Sequence, residues 1–115
     1  MTEDKLNIER ASKAIKDSRF VEALSFLESN LAKDPYHKDS LYIAAVSSRY
    51  IKNYKDSQKY LERLLTITPD MGRAYQELGH LNRDSGNIER AVSHYRQACE
   101  LNPALLSVSY THLRA

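Results

Sequence analysis

The sequence predicts an all-α chain, an α-solenoid of three helix-turn-helix repeats with six helices in all, followed by a short C-terminal tail. Three observations carry that reading. Pro35, Pro69 and Pro103 stand 34 residues apart each time, and a fixed period of this length marks units that cannot bury their apolar faces alone and stack on one another. Small residues keep the same period at Ala23, Ser57 and Ala91, as a close approach of two helices requires. Large side chains follow four residues later at Leu27, Leu61 and Tyr95, one turn on along the same helix face.

Each proline closes a helix, because its ring lacks an amide donor and forces the preceding residue, Asp34, Thr68 or Asn102, out of the helical region. Aligned on these stops, the repeats run over 4–37, 38–71 and 72–105, and each holds two helices of about 14 residues, roughly 21 Å long. Ser18, Asp39, Asn53 and Asn87 are the candidate amino-terminal caps, since their short polar side chains can accept from a first-turn amide. In repeat three, Tyr75, Leu78 and Gly79 share a face of the first helix, Gly86 makes the turn and Ile88 enters the second helix. Repeat two keeps Leu41, Ala44, Ala45, Tyr54, Leu61, Leu64 and Ile67. Repeat one keeps Ala11, Phe20, Ala23 and Leu27 but places Asn7, Arg10, Asn30 and Lys33 at positions where apolar residues are common.

Residues 72–105 resemble a tetratricopeptide repeat through Tyr75, Leu78, Gly79, Gly86, Ala91, Tyr95, Ala98, Leu101 and Pro103. Repeat two departs from that pattern at Ser57, where alanine is usual, and at Lys52, where the turn glycine is usual. The resemblance implies a right-handed solenoid whose concave surface, lined by the first helix of each repeat, holds a protein or peptide ligand. By register that groove would present Ile8, Tyr42, Val46, Arg49, Tyr50, Arg73, Gln76, His80 and Arg83, with Lys5, Ser12 and Ile43 beside them. Tyr42, Val46 and Tyr50 recur every four residues as an aromatic and apolar stripe, and the later residues are basic, so the expected ligand is a segment with apolar anchors and some acidic character. The alternative for this stripe is packing of Tyr42, Ile43 and Val46 against neighbouring first helices. A clamp for chaperone C-terminal carboxylates is not expected, because Ile8, Ser12 and Ile43 stand where that subclass carries lysine and asparagine.

The stretch GRAYQELGHLNRDSGNIERAVSHYRQACELNPAL is also similar to the repeats of bacterial tetratricopeptide-sulfotransferase fusions. That resemblance implies a second role, the noncatalytic arm of a larger transferase whose separate domain uses 3′-phosphoadenosine 5′-phosphosulfate. Residues 108–115, VSYTHLRA, resemble the translation of a sequencing adapter. The repeat domain is accordingly expected over 1–106, with 107–115 a non-native tail; the alternative is the first helix of a fourth repeat, where Ser109 and His112 would occupy apolar positions. With repeat three lacking a successor, Ile88, Val92 and Tyr95 are expected to be partly uncovered, giving marginal stability or self-association through that end.

Composition excludes several classes. The chain of 115 residues is 42% hydrophobic and 28% charged, with a net charge of only +2, so no nucleic-acid partner is predicted. No apolar run reaches a membrane-spanning length and MTEDKLNIER is too charged for a secretory signal, so a cytoplasmic location is expected. Cys99 is the single cysteine and is expected to be a buried structural thiol. Glu77, His80 and Asp84 fall at helical spacing but are expected to be ordinary surface pairs, and Gly72, Gly79 and Gly86 serve packing and a turn rather than phosphate. No catalytic residue, metal site or cofactor is predicted.

Overall fold

The computed structural model describes residues 2–105, and the adapter-like stretch lies outside them. The described residues form six α-helices and no strand: α1 Glu3–Lys16, α2 Phe20–Lys33, α3 Lys38–Tyr50, α4 Tyr54–Ile67, α5 Gly72–Asp84 and α6 Ile88–Leu101, then a 3₁₀ turn at Pro103–Leu105. The chain divides into two compact units, Met1–Ile67 and Thr68–Ala115.

In the first unit α1 packs on α2, α2 on α3 and α3 on α4, and α1 also meets α3. Its core is built from the small-then-large pattern: Ala11, Ala14, Ala23, Leu27 and Ala44 are fully buried, with Ile8, Ile15, Leu24, Phe26, Leu31, Ile43 and Tyr60 packed around them. Ser57, in the place of an alanine, is fully buried and donates its hydroxyl to the Ala45 carbonyl at 2.8 Å. The hydroxyl is thus satisfied where the two helices approach.

Of the four polar residues at these positions in repeat one, Asn7 and Asn30 are buried, while Arg10 and Lys33 are exposed. Asn30 is 1% exposed and Asn7 is 7% exposed. Asn7 Nδ2 donates to Asn30 Oδ1 at 3.1 Å and to Ser29 Oγ at 3.0 Å, while Asn30 Nδ2 donates to the Asp4 carbonyl and to Ser40 Oγ, both at 3.1 Å. Ser40 in turn lies 2.7 Å from His37 Nδ1. A polar network therefore ties α1, α2 and α3 together at the positions where apolar packing is common.

In the second unit α5 packs on α6, and the 3₁₀ turn touches both. Tyr95 is 1% exposed, not uncovered as the sequence suggests, because its ring lies over Gly79 and its hydroxyl meets His80 Nδ1 at 2.7 Å. Ile88 is exposed and Val92 half-buried, in line with expectation. Cys99 forms no disulfide and is half-buried rather than buried.

The three turns within the repeats use one device. Ser18 has φ 59°, Lys52 has φ 65° and Gly86 has φ 92°, and these residues stand one repeat apart. In the first turn Ser18 N–H donates to the Ile15 carbonyl and Arg19 N–H to Ala14; Lys52 and Asn53 repeat this with Arg49 and Ser48, and Gly86 and Asn87 with Arg83 and Asn82. This is the left-handed closure that satisfies the last carbonyls of a helix, and only glycine adopts it without steric cost. Ser18 is thus a turn residue and not a cap, and Asp39 lies inside the first turn of α3, whose cap is His37 accepting from Ser40 N–H. Asn53 and Asn87 do cap, accepting from Asp56 N–H and Arg90 N–H, and Thr2 caps α1. Ser18→Gly and Lys52→Gly are each expected to stabilise the chain by about 0.5–1 kcal/mol. A rise in the urea midpoint checks this, and Gly86→Ser should lower it.

Candidate functional site

Helix α3 carries the aromatic stripe. Lys38–Tyr50 is thirteen residues long, and its fully buried residues Leu41, Ala44 and Ala45 anchor one face. Tyr42 and Val46 are left half-buried and Tyr50 is 52% exposed. Ile43 packs against the core, as does Ile8 of α1. Part of the predicted stripe's neighbourhood is therefore structural, and Ile8 contributes only its half-exposed remainder.

Tyr50 is exposed yet held. Its ring stacks on Phe20 at the start of α2, with centroids 4.5 Å apart and planes 4° from parallel, and the Arg49 guanidinium carbon lies 4.5 Å from the ring centroid. Arg49 itself is 6% exposed, so it acts on this surface through Tyr50 rather than as a free cation. An aromatic fixed in place while half its surface stays open is a contact that loses little side-chain freedom when covered.

The expected second half of the groove is corrected in the second unit. Gln76 and His80 are 8% and 9% exposed, and His80 is committed to Tyr95 through both the hydrogen bond and an edge contact with centroids 5.4 Å apart. Glu77 is 4% exposed, so Glu77 and His80 are not a surface pair. Arg83 is half-buried and its guanidinium bridges to Asp84 at 2.9 Å, which leaves Arg73 as the exposed member of this set. Sequence periodicity missed these burials because α5 buries Gly72, Ala74 and every position from Gln76 to Leu81, a wider face than one apolar stripe.

Two depressions in the first unit were not foreseen. One, of about 410 Å³, is lined by Thr2, Asp4, Lys5, Ile8, Glu9, His37 and Asp39. The other, of about 460 Å³, is lined by residues of α2, α3 and α4. Among the described residues no group of three His, Cys, Asp or Glu could hold a metal ion, and no helix is long and apolar enough to cross a membrane.

Comparison with known proteins agrees with this architecture. The tetratricopeptide repeat family pattern matches residues 72–105. A DnaJ protein P58IPK homolog of Arabidopsis thaliana is 29% identical over 87 residues, 76% of this chain and 18% of the relative. A TPR repeat-containing protein of Rhizobium etli is 28% identical over 94 residues, 82% of this chain and 46% of the relative. The chain thus spans less than half the length of either. Among solved structures, the first TPR of Spaghetti (RPAP3) bound to the HSP90 peptide SRMEEVD superposes with a TM-score of 0.84, covering 97% of this chain and 88% of that one at 19% identity. Residues 72–105 are a tetratricopeptide repeat, and the chain that carries them has the all-helical fold of tetratricopeptide-repeat proteins.

Proposed function

We propose that the chain is a noncatalytic protein-interaction module, and that the surface of α1 and α3 in its first unit takes an extended or helical protein segment. The contact residues are Ile8, Tyr42, Val46 and Tyr50, with Arg49 behind the last. The observation that carries this reading is Tyr50, half open to solvent and fixed by Phe20 and Arg49. Apolar anchors of the ligand would cover the stripe; exposed Arg73 on α5 is a separate candidate contact within the second unit. The fold neighbour that binds SRMEEVD supports a peptide ligand of acidic character. Ile8, Ser12 and Ile43 offer no charge to a terminal carboxylate, so the ligand need not be a chain end.

Selection of random peptides on the full chain tests the proposal. Enriched peptides should pair apolar residues with Asp or Glu, and Tyr50→Ala should weaken them about tenfold, as loss of a central aromatic contact does. Peptides indifferent to Tyr50→Ala would overturn it. The transferase-arm reading rests on the similarity of repeats two and three, residues 38–105, and the coding sequence of the full gene tests it directly.

A further inference from the structure

The second depression, between α2, α3 and α4, shares no residue with the α1–α3 surface. Its floor is apolar, formed by Leu24, Leu27, Leu31 and the ring of Tyr60, and its rim carries the carboxylates of Glu28 and Asp56. Asp56 is held in place by Asn53, whose Nδ2 donates to its Oδ2 at 2.8 Å. Glu28 is exposed and has no ion-pair partner among the described residues. Burial first, then the charge of Asp56 and more weakly that of Glu28, raises the Tyr60 phenol above its usual 10.0; Arg63 acts in the opposite sense. The charged residues that line the depression, Glu28 and Asp56, are both acidic, so it favours a cation over an apolar floor.

We propose that this depression binds a lysine or arginine side chain of a partner protein segment, its aliphatic stem lying on the leucines and its charged head meeting Glu28 and Asp56. Long basic side chains join these two requirements in one residue, an apolar stem beneath a charged tip. The space of about 460 Å³ lies within the range that side-chain and small-ligand pockets occupy. An acidic segment would face like charge at the rim, and an uncharged one would leave Glu28 unmatched. The chain would then engage two partners, or two parts of one, through sites of different preference.

The probe is the peptide acetyl-Leu-Lys-Leu-Lys-amide, titrated into the isotope-labelled full chain beside its glutamate counterpart and spermidine. The lysine peptide is expected to shift the Leu24 and Leu31 methyl signals and the Tyr60 ring signals, with the glutamate peptide and spermidine moving them little. Glu28→Lys should weaken the lysine peptide about tenfold and let the glutamate peptide bind, at an unchanged unfolding midpoint. Tyr50→Ala should leave these titrations as they are, so failure here and failure of the α1–α3 surface are told apart. Absence of shifts with the lysine peptide, equal binding of spermidine, or indifference to Glu28→Lys would each overturn the proposal.

Discussion

Gly79→Ala is expected to destabilise the chain by about 1–3 kcal/mol, the reverse of the gain of about 1 kcal/mol the same exchange gives on an open helix face. A Cβ at Gly79 would stand 2.5 Å from Cδ1 and Cε1 of Tyr95 and 2.9 Å from its Cζ. The ring cannot easily retreat, since Tyr95 is 1% exposed and its hydroxyl is bonded to His80. Removing the ring is costlier still, and Tyr95→Ala should lose about 3–5 kcal/mol by analogy with other large buried aromatics. In that variant Gly79→Ala should change sign and become stabilising, because the clash is gone and only helix propensity remains. Urea unfolding of the four members of this cycle checks the prediction. A stabilising Gly79→Ala in the parent chain would show that α5 and α6 do not approach through Gly79.

The helices were legible because proline spacing and small residues report backbone geometry directly. Pro35 and Pro103 follow helix ends where Asp34 and Asn102 are extended, with φ near −143° and −144°. Gly79 was readable as a packing position, but which ring it admits was not, and Tyr95 was therefore expected at an uncovered edge. Ser18 misled because serine suits a cap as well as a turn, and only the backbone dihedral separates the two uses. The candidate surface was legible as a period of four in Tyr42, Val46 and Tyr50. Its limits were not, since burial of Arg49, Gln76 and His80 depends on packing that a polar side chain does not announce. Asn7 and Asn30 marked repeat one as unusual by pattern, while their mutual hydrogen bond joins residues 23 apart in sequence.

Asn30→Ala is expected to cost about 1–3 kcal/mol, because it removes the acceptor of one Asn7 N–H and the donor to the Asp4 carbonyl and the Ser40 hydroxyl in a largely buried site. Restoring an apolar residue does not avoid the loss: Asn30→Leu fills volume but leaves the same partners unsatisfied. The double variant Asn7→Ala/Asn30→Leu should recover part of the deficit, since it also removes the Asn7 amide that the single variant leaves short of an acceptor. Denaturant unfolding of the two single variants and the double reads this coupling. Additive losses would mean that Asn7 and Asn30 do not depend on one another.

On the proposed reading, helix packing and ligand contact fall to different side chains of the same repeats. Affinity for a selected peptide, measured alongside the unfolding midpoint for Tyr42→Ala and Tyr50→Ala, tests that division most directly. Affinity should fall about tenfold for each while the unfolding free energy read from the midpoint changes by less than about 1 kcal/mol. A lowered midpoint with undiminished affinity would place both tyrosines in the packing and contradict the docking surface.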